Sequence, residues 1–209
     1  MPRIALQTGT QVESVTQLKQ VISQRIKDSI EVKQRLLGYT EICAEVAERI
    51  IRAFKSGNKV LLFGNGGSAA DAQHIAAELV GRFYLDRPPL PAQALTVNTS
   101  SLTAIGNDYT YDQIFSRQIE AFGQADDVAI GISTSGDSRN VIEALRAAKR
   151  KGIITIGMTG ESGGQLKAEV DYCICIPSGD TARIQEAHIL VGHILSELVE
   201  QALFEGANS

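Results

Sequence analysis

The chain has 209 residues, 44% of them apolar and 21% charged, with a net charge of −4. Acids and bases are mixed along the whole length without a basic cluster, which argues against a nucleic-acid partner. The longest apolar run, around Val128 to Ile132, is far too short to cross a bilayer, and the opening MPRIALQTGT lacks the charged-then-apolar order of a secretory signal.

This length supports one substantial core with an appended helical arm. Residues 1–37 are read as the arm and residues 38–209 as the main domain. Between Val15 and Leu37, apolar residues recur at helical spacing (Val15, Leu18, Val21, Ile22, Ile26, Ile30, Val32). A second helix carries Ile42, Val46, Ile50, Ile51 and Phe54, and Lys55-Ser56-Gly57-Asn58 closes it. Neither helix alone has the polar-free surface to be buried inside a small domain, so this region is expected to mediate oligomerisation.

From Lys59 onward, short apolar runs alternate with helical stretches. The runs are Val60–Phe63, Gln93–Val97, Val128–Ile132, Ile153–Met158 and Tyr172–Ile176. They are continuous and β-branched, as strands buried on both faces should be, and their spacing is that of βαβ units. The expected fold is therefore α/β: a three-layer α/β/α sandwich around a five-stranded parallel sheet. A last helix is predicted over Thr181 to Phe204, with EGANS as a frayed tail. Cys43, Cys173 and Cys175 cannot all pair internally and none lies in a CxxC. Cys173 and Cys175 share one strand face as core thiols, and a reducing, cytoplasmic setting is the default.

In such sheets ligands bind beyond the carboxyl ends of the strands. The first strand is followed by Gly64-Asn65-Gly66-Gly67-Ser68 and a helix. Glycines let backbone approach an anion closely, and Ser68 is expected to cap the helix. Gly64, Gly66 and Ala69 also satisfy the dinucleotide fingerprint. That pattern needs an acid at the end of the next strand, where this chain has Val97-Asn98-Thr99-Ser100. The third strand is followed by Ser133-Thr134-Ser135-Gly136-Asp137-Ser138 and another helix. Its hydroxyls, glycine and helix N-terminus make a neutral cradle for a phosphate ester. Asn107 and Asp108, read as a turn pair, offer groups for sugar hydroxyls.

There are three histidines. His74 and Glu78, four apart, share one face of the helix after the first glycine loop. On the last helix Gln185 and His193 lie within one broad face, whereas His188 is roughly 140° around from His193 and is read as a packed or solvent-facing residue outside the site.

GNGGS, ISTSGDS and ARIQEAHILVGHIL, in this order and spacing, resemble the SIS (sugar isomerase) family. From about Leu37 to Phe204 the joint pattern looks like the phosphoheptose isomerases. That resemblance implies interconversion of sedoheptulose 7-phosphate and glycero-manno-heptose 7-phosphate, a homotetramer with sites at subunit interfaces and, in several members, a zinc ion. It assigns Asn65, Gly66, Gly67 and Ser68 to a substrate loop, Ser133, Thr134, Ser135 and Ser138 to the phosphate, and Asn107 and Asp108 to further substrate contacts. It also assigns His74, Glu78, Gln185 and His193 to the metal, with Glu78 and His193 as the catalytic pair and Gln185 touching substrate as well. Some isomerases carry an acid three positions before the glutamine; this chain has Ala182 there, and Asp180 is the nearest acid. Two other readings compete: a non-catalytic relative that binds sugar phosphate or the replication initiator DnaA, and an isomerase of another sugar phosphate. The non-catalytic pattern lacks equivalents of Glu78 and His193, and both are present here.

Overall fold

The computed structural model describes residues 14–205. The first 13 residues of the predicted arm, and the predicted tail from residue 206, lie outside them. Helix α1 (Val15–Leu36) starts at a capping box: Ser14 Oγ accepts from the Gln17 N–H, and Gln17 Oε1 accepts from the Ser14 N–H at 2.7 Å. A 3-10 turn, Leu37–Tyr39, leads into α2 (Thr40–Lys55).

Five parallel strands follow: β1 (Val60–Gly64), β2 (Ala92–Ala94), β3 (Val128–Ile132), β4 (Ile154–Thr159) and β5 (Tyr172–Cys175), arranged β2-β1-β3-β4-β5. Between and after them run α3 (Gly67–Val80), α4 (Thr99–Asp108), α5 (Ser116–Phe122), α6 (Arg139–Arg150), α7 (Leu166–Glu169) and α8 (Thr181–Phe204). Alternate strand residues feed two cores. Val60, Leu62, Ile130, Ile132, Met158 and Ile174 pack with α2, α3 and α8. Leu61, Phe63 and Ala129 pack with α5 and α6 on the other side. Burial on both faces is why the strands read as unbroken apolar runs.

Three expectations change. Helix α2, expected to lack the surface for burial in a small domain, lies in the core: Val46, Ala47, Ile50 and Ala53 are buried there, and α2 packs on α8 and β5. Only α1 stays outside, with Val32 and Leu36 as its buried residues. Strand β2 covers Ala92–Ala94 rather than Gln93–Val97. The Leu95 N–H still donates to the Leu62 carbonyl at 2.8 Å, but the chain then turns so that Asn98 Oδ1 can accept from the Ser101 N–H and cap α4. Asn107 and Asp108, expected in a turn, form the last turn of α4. Cys173 and Cys175 do face one side of β5, both free, with their sulfurs 3.6 Å apart.

At the amino ends of β1 and β3, Asp127 is 1% exposed and accepts from both the Lys59 N–H and Lys59 Nζ, the latter at 2.6 Å. This pin sits at the opposite edge of the sheet from the strand ends where ligands bind.

Candidate active site

The order β2-β1-β3 makes β1 and β3 neighbours whose chain connections leave in opposite directions, so a crevice opens between their carboxyl ends. Their register pairs Gly64 with Ile132, which brings residues 65–68 and 133–138 side by side. The two loops are tied across the crevice. Asn65 Nδ2 donates to Asn140 Oδ1 at 2.9 Å, Asn140 Nδ2 donates back to Asn65 Oδ1 at 2.8 Å, and the Tyr111 hydroxyl donates to Asn65 Oδ1 at 3.0 Å. Asn140 is 2% exposed. Neither Asn140 nor Tyr111 stood out in the sequence, because nothing local distinguishes them; only the strand order brings them to Asn65.

The first loop does not cap α3 as expected. The N-cap is Gly66, at φ 56°, and no side chain caps it; Ser68 lies one residue inside the helix and is buried. The first-turn amides therefore have no side-chain cap, an arrangement suited to a ligand oxygen. Gly67 leaves room for the Gln185 amide, since an added Cβ would sit 2.8 Å from Gln185 Cδ and push that side chain aside. Gln185, on α8, thus lays its amide against the start of α3.

In the second loop Ser138 is the N-cap of α6 but makes no side-chain cap; its hydroxyl accepts from Ser133 Oγ at 2.9 Å, with Ser135 Oγ 3.5 Å from Ser133 Oγ. Gly136 adopts φ +72°, and a Cβ there would strike the backbone of Gly163 and Gly164. That left-handed residue folds the hydroxyls together. Thr134 and Ser135 line a cavity of about 360 Å³ with Ser162, Ser178 and Thr181, and Asp137 and Glu161 add carboxylates to its wall. Asn107 and Asp108 are exposed at the end of α4 and hydrogen-bond each other.

Helices α3 and α8 pack together and bring His74, Glu78 and His193 to one point. His74 Nε2 lies 3.1 Å from Glu78 Oε1 and 3.3 Å from His193 Nε2, and the three donor atoms are all within 4.8 Å of one another. Two imidazole nitrogens facing at 3.3 Å repel unless a proton or a cation lies between them. Tetrahedral bonds of about 2.0–2.1 Å put neighbouring ligand atoms about 3.3 Å apart, close to both observed separations. The donor set thus fits a metal ion. Asp71, one turn before His74, has a buried Oδ2 without a partner among the described residues; burial raises its pKa, opposed by the His74 charge. Gln185 stands two turns before His193 on the same helix. His188 is fully buried, apart from the cluster, with Nε2 3.2 Å from the Thr159 carbonyl.

One further set of residues escaped the sequence reading. Glu200, on α8, accepts from the Phe83, Tyr84 and Leu85 amides and from Arg87 Nε, all at 2.6–2.9 Å. Burial pushes the Glu200 pKa up, but these hydrogen bonds outweigh it and hold the carboxyl below its ordinary value. The Phe83 ring lies 5.6 Å from that of His193. Partners 113 residues apart leave no sequence signal.

Comparison with known proteins agrees with this fold. The SIS domain family model matches residues 14–160. A phosphoheptose isomerase of Aneurinibacillus thermoaerophilus is 55% identical over 186 residues, covering 88% of this chain and 94% of its own. One from Clostridium acetobutylicum is 56% identical over 190 residues, covering 90% and 97%. Among solved structures, the phosphoheptose isomerase of Neisseria gonorrhoeae superposes with a TM-score of 0.84 at 43% identity, covering 88% of this chain and 99% of that one. That of Francisella tularensis gives 0.85 at 37% identity, covering 87% and 97%. With this fold and these relatives along nearly its whole length, the chain belongs to the SIS domain family and, within it, to the phosphoheptose isomerases.

Proposed function

We propose that the chain interconverts D-sedoheptulose 7-phosphate and D-glycero-D-manno-heptose 7-phosphate through an enediol. The observation that carries this reading is the convergence of His74, Glu78 and His193 from α3, which begins at the first glycine loop, and α8, whose Gln185 lies against Gly67. The loop 133–138 holds the phosphate with hydroxyls and amides and no permanent counter-charge, so the product leaves readily. Asn65, Gly66, Gly67 and Ser68 line the substrate at the start of α3, with Gln185 against Gly67, and Asn107 and Asp108 supply contacts to sugar hydroxyls.

In the ketose-to-aldose direction Glu78 takes a proton from C1 while His193 supplies one to the C2 oxygen, giving the enediol. The O1 proton then leaves and a proton returns to C2, giving the aldose. His74, Glu78, Gln185 and His193 would hold a zinc ion, which supplies Lewis-acid polarisation of the carbonyl and stabilises negative charge on the neighbouring oxygens. A carboxylate held by a metal is a weaker base, so Glu78 would either exchange between the two tasks during turnover or serve only one of them.

The same reading makes the protein a cytoplasmic homotetramer without a nucleic-acid or membrane partner, assembled through an arm of residues 1–37. The exposed apolar face of α1 supports this. So does His74, whose side chain is 49% exposed, leaving the cluster open for a second copy to cover. No helix among the described residues is long and apolar enough to cross a membrane.

The test is proton NMR of sedoheptulose 7-phosphate with the protein in deuterated water, with zinc added or chelated. Aldoheptose signals with deuterium at C2, lost on chelation, are expected. No conversion by folded protein in either condition would reject the reading, and conversion of only a five- or six-carbon ketose phosphate would move the substrate.

A further inference from the structure

The segment that joins α3 to β2 carries Arg87, whose side chain, like that of Glu200, is 2% exposed. Desolvating two charges offsets most of their mutual attraction, so a buried pair is a weak device for stability alone. What this pair touches is more specific. Arg87 Nη2 donates to the carbonyl of Glu78 at 2.9 Å, and Nη1 donates to that of Leu79 at 2.8 Å. These carbonyls belong to the last turn of α3 and lack partners within the helix. The Arg87 fork therefore ties off the turn that presents Glu78. Its Nε meets Glu200, which lies seven residues, or two turns, beyond His193 on the same face of α8. The Glu200 carboxylate also gathers three consecutive amides, and the first belongs to Phe83, whose ring abuts His193.

We infer that Arg87 and Glu200 are positioning residues for the isomerisation: together they lock the end of α3, bearing Glu78, to the face of α8 bearing His193, and seat Phe83 against the His193 ring. The inference rests on the roles given above to Glu78 and His193. A proton taken at one carbon and supplied at the adjacent oxygen requires those side chains at a fixed spacing, and misplacement by about 1 Å can cost about a hundredfold in rate.

The experiment compares Arg87→Lys and Glu200→Gln with the unaltered full-length protein, at a temperature well below the melting point of each. Lysine keeps the charge but loses the fork, and glutamine keeps the shape but loses the charge. The expected result is a kcat lowered roughly 10- to 100-fold with KM changed less than about twofold. A second readout is independent of activity. With three histidines in the chain, the ring-proton signals are assignable, and the His193 signal should move as Phe83 is released. As a control, Lys59→Met breaks the Asp127 pin at the far edge of the sheet. It should lower the melting temperature while leaving kcat and the His193 signal alone.

Variants with wild-type kcat, or with a loss confined to KM, overturn the inference, as does Lys59→Met lowering kcat equally. If Glu200→Gln fails to fold, Arg87→Lys decides. Failure of the underlying reading looks different: Glu78→Gln would then turn over at the wild-type rate. The His193 signal reports on the lock in that case too.

Discussion

Glu78 is reached by three influences at once: His74 on its own helix, His193 from α8, and Arg87 at its backbone carbonyl. Replacing the carboxylate by its amide keeps the size and removes the base. Glu78→Gln should therefore lower kcat by about a hundredfold or more, with KM little changed, in a steady-state assay. Near-normal turnover would take the base assignment away from Glu78. His188 has a different task on the same helix. Its Nε2 donates to the Thr159 carbonyl and its Nδ1 has no partner among the described residues. Burial lowers its pKa to about 4, with the Thr159 carbonyl acting in the opposite direction. An unfolded imidazole titrates near ~6.5. Between those values the unfolded chain takes up a proton that the folded chain refuses. The contribution is full above about pH 6.5 and declines as pH falls towards 4, by up to about 3 kcal/mol. Urea unfolding at several pH values should show His188→Gln losing less stability than wild type across this window. Parallel declines would remove His188 from the explanation.

Helix α8 carries Gln185, His188, His193 and Glu200, so its first turn bears on every part of the site. Asp180 opens it, its Oδ1 accepting from the Ala182 N–H at 2.9 Å. The acid nearest to Ala182 is thus occupied as a helix cap. Asp180→Ala should cost about 1 kcal/mol of stability, read as a lower melting temperature. An unchanged melting temperature would mean that water replaces the cap at no cost. Elements of this kind were legible because they leave local signals: the 3.6 period of α1, α2 and α8, and the continuous apolar runs of the strands. The glycine loop, the serine loop and the His74–Glu78 pair were legible for the same reason, each lying within one short segment. What failed was whatever depends on distant partners. Ser68 looked like a cap until α3 began at Gly67, and α2 looked too polar to bury until the sheet was there to cover its apolar face. Asn140, Tyr111, Arg87 and Glu200 acquire their roles only through strand order and helix packing.

At the scale of the whole molecule, the apolar surface is unevenly shared. The sheet is sealed on both faces, yet on α1 the residues Val15, Leu18, Val21, Ile22, Ile26 and Ile30 remain 46–68% exposed. Beside them an apolar groove of about 270 Å³ runs between α1, α2 and α8, lined by Leu36, Leu37, Cys43, Leu190, Ile194 and Leu198. A capped 22-residue helix with such a stripe has little reason to hold its place on one chain, since it packs chiefly against α8 and the turn that follows it. Burying the exposed half of each of these side chains against another copy is worth about 1 kcal/mol apiece, which over the stripe favours assembly. The double change Ile22→Glu with Ile26→Glu places charges in the stripe without touching either core. It should lower the mass measured by light scattering while the far-ultraviolet circular dichroism stays that of a folded α/β protein. Because the half-exposed His74 needs cover, turnover of the smaller species should fall with its mass. Retention of the full assembled mass would show that α1 is not the joint. A dissociated protein with full activity would show instead that each chain completes its own site.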